Sequence, residues 1–224
     1  MGKLWRRRLI CVGLTIIVIY LAHPVILEWA AGWLVASEQR PEQIDCLVIL
    51  SGDERYHVAG SIHENSPGLK VLVLQGPLDR LNRWKVTVPS SIRDRNALNA
   101  VGIPSEQIEI LNFANRSEWE WARELHQWMR DHPEQRVGIL CDEFSSGLTQ
   151  QVLESTRNET GSSLQLLSVS DEQYTTTNWW KSRRGLKSFW RAYFDLIYAT
   201  LFGEDTPAEL EWTPDQYEQE LEGR

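Results

Sequence analysis

The sequence predicts an α/β fold, in which a doubly wound, mostly parallel sheet of about five strands has helices on both faces. Five short apolar runs follow one another between residues 46 and 170, and each is unbroken rather than alternating. Such runs are typical of strands buried on both faces of a parallel sheet. Helical patterns separate them, and this alternation is typical of doubly wound α/β domains. A long apolar segment near the N-terminus precedes the sheet.

The predicted strands and helices alternate along the chain. The strands cover residues 46–52, 69–76, 107–112, 136–142 and 164–170. The helices between them cover residues 55–65, 91–101, 117–131 and 146–157. The third helix begins at a capping box, with Ser117 at the N-cap and Glu120 three residues later, and Pro133 follows its end.

The last helical pattern, residues 178–203, combines five basic residues with many aromatic ones. Two arrangements fit this composition. The segment packs as the final helix of the sheet, or it lies along an anionic membrane surface. One face can serve each role, so the two arrangements are compatible.

Residues 1–36 are predicted to form a membrane anchor. Arg6, Arg7 and Arg8 precede an apolar run at residues 9–27. A helix of this length spans about 28 Å at about 1.5 Å per residue, close to the hydrocarbon thickness of a bilayer. The basic cluster is expected to stay in the cytoplasm, which places the folded domain on the other side. A cleaved signal peptide, with small residues at 30–32, is the alternative.

The remaining chain divides into an α/β domain at residues 37–202 and an acidic tail at residues 203–224. The tail contains eight acidic residues and one arginine, and we expect it to be solvated and flexible. The formal net charge of -8 argues against general nucleic-acid binding. The three cysteines have no metal or disulfide spacing.

Polar residues at predicted strand ends indicate a ligand site, because doubly wound sheets bind ligands beyond the carboxyl ends of their strands. Glycines there leave room for a ligand, and an arginine is suited to hold a phosphate or carboxylate. Carboxylates are candidate general bases. The ligand-binding candidates are Gly52, Asp53, Glu54, Arg55, Gly76 and Asp142, and the catalytic candidates are Asp53, Asp142 and Glu143. Ordinary turn chemistry explains a Gly-Asp pair equally well.

Common catalytic and cofactor motifs are absent from the sequence. It has no GxGxxG, no GxxxxGK[ST], no HExxH and no GxSxG. No motif therefore supports a dinucleotide-binding protein, a P-loop NTPase, a metalloprotease or an α/β-hydrolase, and the sequence indicates no cofactor. None of the five histidines directly follows a predicted strand, so no imidazole is expected at the strand ends.

The chain resembles the YdcF-like family, a domain-of-unknown-function family that includes the SanA and ElyC bacterial envelope proteins. The resemblance runs through residues 23–60, the Gly-Ile-Pro stretch at 97–111, and residues 178–198. It implies a Rossmann-like domain, held by an N-terminal helix in the inner (plasma) membrane, with a role in envelope biogenesis. Ser117 and Glu120 match the family's Thr or Ser with a following Glu, which makes both candidate ligand-binding residues.

The sequence departs from the family pattern at several pocket positions. Ser145 stands where the family has His, and Gly147 and Leu148 stand where Arg follows. Ala192 and Asp195 replace the family's Glu and Lys. We therefore expect an altered, non-catalytic pocket in a protein that acts by binding or as part of a complex. Two alternatives stay open: an enzyme acting on a phosphorylated or nucleotide-like envelope metabolite, and a membrane-proximal scaffold that recruits protein partners.

Overall fold

The computed structural model describes residues 2–36, 43–50, 52–114, 117–157 and 163–204. Its strands are all parallel and form one sheet in the order β3-β2-β1-β4-β5. The strands are β1 (Cys46–Ile49), β2 (Lys70–Gln75), β3 (Ile108–Asn112), β4 (Val137–Asp142) and β5 (Leu164–Val169). The α/β prediction is confirmed, and each predicted strand appears.

The described part of the chain contains seven α-helices. They are α1 (Gly2–Gly32), α2 (Asp53–Asn65), α3 (Arg80–Arg83), α4 (Ser90–Ala100), α5 (Glu118–Asp131), α6 (Ser146–Ser155) and α7 (Arg183–Phe202). The four helices predicted between strands are confirmed to within two residues. The pattern did not predict α3, because a four-residue helix, begun by an Asp79 side chain that accepts from the Asn82 amide at 2.7 Å, shows no periodicity.

The two faces of the sheet carry separate cores, because successive side chains of a strand point to opposite faces. On one face, Val48 and Ile139 pack with α5 and α6. On the other, Leu47 and Leu140 pack with α2 and α4. The central register aligns Cys46 of β1 with Lys70 of β2 and Val137 of β4. Both faces are thus covered, as the unbroken apolar runs predicted.

The Ser117 half of the capping box predicted for α5 is confirmed. The Ser117 hydroxyl accepts a hydrogen bond from the Trp119 amide at 3.2 Å, so Ser117 is the N-cap. The Glu120 carboxylate pairs with Arg123 at 2.8 Å, and Arg123 also binds Glu204. The three residues at helical spacing that predicted an inner face, Trp121, Leu125 and Trp128, are buried in the core.

The C-terminal end of α1 packs against the α/β domain through a third core. Ala31 and Leu34 are buried there with Phe144, Trp179 and Phe189. The indole rings and phenyl rings stack closely, with the Trp179 and Phe189 centroids 3.7 Å apart. The predicted boundary at residue 36 therefore follows a segment that already contributes to the folded core.

The predicted membrane anchor falls on α1 and the predicted acidic tail on residues 203–224. Among the residues that the structure describes, no helix has the length and apolarity needed to cross a membrane. Residues 205–224 of the tail lie outside the described residues, as do residues 37–42 and the side chain of Asp53.

Candidate functional site

A cleft of about 590 Å³ opens at the carboxyl edge of the sheet. The strand order reverses direction between β1 and β4, and this switch point is where doubly wound sheets bind ligands. Residues at or just after the ends of β1, β2 and β4 line the cleft together with residues of α5, α6 and α7. The predicted candidates that line it are Arg55, Gly76 and Asp142.

Arg55 lies in the first turn of α2 and points back across the edge of the sheet. Its side chain is 16% exposed, and its Nη1 lies 3.9 Å from Asp142 Oδ2. Among the described residues, Arg55 Nε has no hydrogen-bond partner. The guanidinium is therefore largely withdrawn from water without being fully paired, which is costly for a charged donor.

Gly52 makes this position of Arg55 feasible. A Cβ at residue 52 would lie 2.7 Å from Arg55 Cζ and 2.9 Å from Arg55 Nε, inside van der Waals contact. The guanidinium thus lies directly over the glycine backbone. The Gly52 carbonyl also accepts the Arg55 amide at 3.1 Å, which ties the turn to the first residues of α2. The sequence predicted that Gly52 leaves room for a ligand, whereas the structure places the Arg55 guanidinium in that space.

Asp142 ends β4 and faces Arg55 from the opposite side of the switch point. Its Oδ1 accepts a hydrogen bond from the Phe144 amide at 3.2 Å. Burial raises the pKa of Asp142 above its ordinary value, although the Phe144 amide and the Arg55 charge act in the opposite direction. Its carboxyl group therefore releases its proton less readily than an aspartate in water.

Glu54 belongs to a neighbouring ion-pair network at the same edge. Arg184, the second residue of α7, reaches Asp171 at 2.8 Å and Glu54 at 3.4 Å. The Asp171 side chain is only 4% exposed, and its Oδ1 also accepts from the Gln173 amide at 2.8 Å. This network joins the start of α2 to the start of α7, so Glu54 has a structural partner outside the cleft.

Glu143 follows Asp142 but turns away from the cleft. Burial raises the pKa of Glu143, while hydrogen bonds from the hydroxyl groups of Ser170 and Thr176 lower it. These partners lie in the segment after β5 rather than among the cleft-lining residues. Of the three predicted catalytic carboxylates, the structure thus places Asp142 in the cleft and Glu143 outside it. The side chain of Asp53 lies outside the described residues.

Gly76 lines the cleft beside an aromatic ring. A Cβ at residue 76 would lie 3.1 Å from the Phe113 ring, so the glycine leaves room for Phe113 in the wall. Ser117 and Glu120 are absent from the cleft lining, while Glu118 between them is part of it. The Glu118 carboxylate accepts from Trp121 Nε1 at 2.8 Å. The ligand-binding role of Ser117 and Glu120 stays a prediction.

Sequence reasoning missed several polar residues of the cleft. They are Ser90, Glu118, Ser188 and Arg191. Each lies within a helix rather than after a strand, and a search of strand ends does not reach them. A search of helix N-termini would have found Ser90 and Glu118, the first residues of α4 and α5.

Most positions that depart from the YdcF-like pattern meet in this cleft. Ser145, Leu148, Ala192 and Asp195 all line it. Among the described cleft-lining residues there is no histidine. Asp195 forms an ion pair with Arg191 at 3.6 Å, so two opposite charges of α7 sit at the cleft wall.

Gly147 is held by the chain segment that follows α1. Its amide donates to the Leu34 carbonyl at 2.8 Å, and the Ala36 amide donates to the Ser146 hydroxyl at 2.9 Å. A Cβ at residue 147 would lie 2.6 Å from the Leu34 carbonyl oxygen. A side chain at 147 is therefore incompatible with this packing, and Leu148 is the position from which an arginine could enter the cleft.

The histidines in the domain have contacts elsewhere. His63 interacts with Gln107, and His132 stacks on Trp128 with ring centroids 4.2 Å apart. His126 is buried with Nε2 3.0 Å from the Leu153 carbonyl, and burial lowers its pKa. In the described part of the chain, no group of His, Cys, Asp and Glu could hold a metal ion.

Comparisons with known proteins give no family assignment. No family model matches the chain, and no curated protein matches it. The resemblance to the YdcF-like family therefore stays a prediction from the residues quoted above.

Proposed function

We propose that this protein is a membrane-anchored, YdcF-like protein of the bacterial cell envelope that binds a small anionic ligand in the carboxyl-edge cleft. The observation that carries the proposal is the state of Arg55. Its guanidinium is mostly buried in the cleft wall, its Nε lacks a partner within the described structure, and the Asp142 carboxylate lies 3.9 Å from its Nη1. A phosphate or carboxylate group in the cleft would pair with this guanidinium.

The rest of the cleft fits such a ligand. Its volume of about 590 Å³ lies within the range of small-molecule sites, roughly 300–1,000 Å³. Hydroxyl groups of Ser90, Ser145 and Ser188 line it. Ser145 donates to the Asp142 carbonyl at 3.1 Å and Ser90 to Gln75 Oε1 at 3.4 Å, so these hydroxyls would exchange their present acceptors for ligand oxygens. Leu50 and Leu74 supply apolar wall beside them. The cleft therefore combines two arginines, three carboxylates, serine hydroxyls and apolar wall; the arginines are Arg55 and Arg191, and the carboxylates are Glu118, Asp142 and Asp195.

Binding without histidine chemistry is favoured because Ser145 occupies the position of the family's imidazole. A serine hydroxyl neither gains nor loses a proton near neutral pH, so it cannot replace histidine as a general base. One observation favours the enzyme alternative: Asp142 lies in the cleft with a raised pKa, as a general base or acid often does. In that alternative, Asp142 moves a proton on a phosphorylated or nucleotide-like metabolite held by Arg55.

The proposed location rests on the order of charge and apolar residues in the sequence. Arg6, Arg7 and Arg8 before the run at residues 9–27 favour a single inner-membrane pass with the N-terminus in the cytoplasm. A fusion of alkaline phosphatase to the C-terminus tests this orientation. Activity of the fused enzyme is expected, because it folds only outside the cytoplasm. An inactive but stable fusion contradicts the proposed topology.

Envelope permeability in a strain lacking the protein tests the function of the cleft. Full-length Arg55→Ala is expected to fail to restore the permeability barrier, while the surface variant Arg130→Ala restores it. Arg130 is exposed on α5 and its side chain donates a hydrogen bond to Gln127, outside the cleft, which makes it a matched control. Equal restoration by both variants would exclude a role for the cleft.

Asp142→Asn separates binding from catalysis in the same strain. The amide keeps an oxygen for the Phe144 amide but cannot act as a general base. If the protein only binds, Asp142→Asn should restore the barrier about as well as the wild type. Complete loss, with the variant present at normal level, favours the enzyme alternative.

A further inference from the structure

Helix α7 has apolar residues on two opposite faces. Its inner face is buried against the domain through Gly185, Phe189, Ala192 and Ala199. The outer face carries exposed apolar side chains, from 37% exposed at Ile197 to 70% at Leu201. They are Leu186, Trp190, Phe194, Ile197, Tyr198, Leu201 and Phe202. A helix that is apolar on both sides is typical of one that is buried on both sides.

The positions of these residues follow from helical geometry. At 3.6 residues per turn, Trp190, Phe194 and Leu201 lie on the side opposite Ala192. The exposed set therefore forms one continuous stripe rather than scattered side chains. Contiguous exposed apolar surface of this kind usually marks a contact with a partner or a membrane.

The charge of α7 identifies the kind of partner. The helix contains four basic residues and one acidic residue, in a chain with a formal net charge of -8. Arg183 and Lys187 precede the aromatic stripe on the same outer side, by helical spacing. Apolar residues beside lysine and arginine suit an anionic lipid surface. A symmetric contact between two copies would bring these like charges together.

The short 3-10 helix that precedes α7, Trp179–Lys181, contacts the C-terminal part of α1. Trp179 Nε1 donates to the Leu27 carbonyl at 3.3 Å, and the Trp180 ring meets the His23 ring edge-on at 6.5 Å. If α1 is the anchor, His23 and Leu27 lie where it leaves the bilayer. Tryptophan and lysine are enriched at that level, and Lys181 lies 5.9 Å from the Trp180 ring centroid.

From this geometry we infer that the outer face of α7 rests on the anionic leaflet of the membrane that holds α1. This inference rests on the proposed anchor but adds a second membrane contact, made by the α/β domain itself. The stripe would sit among headgroups and upper acyl chains, with Arg183 and Lys187 close to lipid phosphates. The domain would then lie against the bilayer rather than extend away from it.

Depth-dependent quenching of a fluorescent label in the full chain tests the inference. Single cysteines carrying an environment-sensitive label replace Phe194 or Leu201, in a background with Cys11→Ser because Cys11 is exposed. The protein is reconstituted in vesicles of phosphatidylcholine with or without phosphatidylglycerol. Nitroxide groups on lipids near the headgroup serve as quenchers. A matched control label replaces Ile92, which is 46% exposed on α4.

Labels at 194 and 201 are expected to be quenched several-fold more than the label at 92. Lys187→Glu together with Arg183→Glu should weaken quenching at 194 in vesicles with phosphatidylglycerol and change it little in phosphatidylcholine alone. Quenching at 194 no stronger than at 92 would overturn the inference. Protection of position 194 that depends on protein concentration and not on lipid would also overturn it, since a second copy would then cover the face.

A label at Leu21 in α1 separates this inference from the proposed anchor. Leu21 is 71% exposed and lies within the apolar run. Quenching at 21 without quenching at 194 leaves the anchor in place and rejects the α7 contact. Absence of quenching at both positions rejects the anchor as well.

Discussion

Arg55 Nη1 and Asp142 Oδ2 lie 3.9 Å apart across the switch point between β1 and β4. This separation is longer than a hydrogen bond, for which N–H···O distances of about 2.7–3.2 Å are usual. The two groups attract each other without using up their hydrogen-bonding capacity. The pair therefore keeps a cation ready in the cleft, and a ligand can complete the missing contacts.

Gly52→Ala should impair the cleft while preserving the fold. The new Cβ displaces the far end of a flexible side chain, the Arg55 guanidinium, and leaves the backbone undisturbed. We expect a change in the free energy of unfolding below about 1 kcal/mol and a loss of ligand binding of about ten-fold or more. Gly68→Ala is the control, because a Cβ there has nothing within 4 Å. Full binding by Gly52→Ala would show that the position of Arg55 is unimportant.

The contribution of Asp142 to the stability of the fold should decrease as the pH rises. Burial raises the pKa of Asp142, so this group favours the folded state most below its unfolded pKa of about 3.9. That contribution is lost as the pH rises through the raised value. Asp142→Asn should therefore gain melting temperature relative to the wild type near pH 7, and the gain should vanish near pH 3. A lower melting temperature of Asp142→Asn at pH 7 contradicts this.

The contribution of Asp45 to stability should depend on pH in the opposite direction to that of Asp142. Hydrogen bonds from the Arg136 side chain, the nearest at 2.7 Å, lower the pKa of Asp45. Its contribution to stability is present above the unfolded pKa of about 3.9 and is lost as the pH falls through the lowered value. Asp45→Asn should reduce the melting temperature near pH 7 and matter less in acid. The effect should be modest, because the Asp45 side chain is 38% exposed.

Much of the fold was predictable because it follows from local patterns. Unbroken apolar runs such as residues 46–49 identify strands covered on both faces, and Ser117 marks the start of α5 through its hydroxyl. Helix α3 could not be predicted from the spacing of apolar residues, because its four residues complete barely one turn. The packing of Leu34 against Gly147 joins residues 113 positions apart, which no local pattern records.

The site was predictable where it depends on strand ends and not where it depends on helices. Arg55, Gly76 and Asp142 follow buried strands, and all three line the cleft. Glu54 and Glu143 follow strands too, but tertiary partners draw them elsewhere: Arg184 binds Glu54, and hydroxyl groups after β5 bind Glu143. These partners are distant in the sequence, so the pairings can be identified only from the three-dimensional structure.

Gly147→Ala should destabilise the protein by about 1–3 kcal/mol. Its Cβ would meet the Leu34 carbonyl oxygen at 2.6 Å, and this obstacle is backbone rather than a flexible side chain. The hydrogen bond from the Gly147 amide to Leu34 should also weaken. Thermal unfolding of the full chain measures the loss, expected as a fall of about 2–4 °C per kcal/mol. An unchanged melting temperature would show that the segment after α1 is not packed at this site.

Cysteine labelling should show that Cys46 and Cys141 are unreactive in the native protein. Burial raises the pKa values of Cys46 and Cys141 to about 12, so only about one thiol in 10,000 is ionised at pH 8. In the native protein in detergent, a maleimide should leave Cys46 and Cys141 intact, and both should react after unfolding. Rapid native modification of Cys141, seen by peptide mass spectrometry, would reveal a reactive thiol that this structure excludes.

The most direct test of ligand binding is a thermal-shift screen of the full chain in detergent. The panel comprises nucleotides, nucleotide sugars, S-adenosylmethionine and inorganic phosphate. A ligand at a hundred times its dissociation constant adds about 2.7 kcal/mol to the folded state, a shift of several degrees. We predict that an anionic ligand stabilises the wild type and Arg130→Ala but not Arg55→Ala. No shift with any ligand, or an equal shift in Arg55→Ala, would contradict the claim that the cleft binds anions through Arg55.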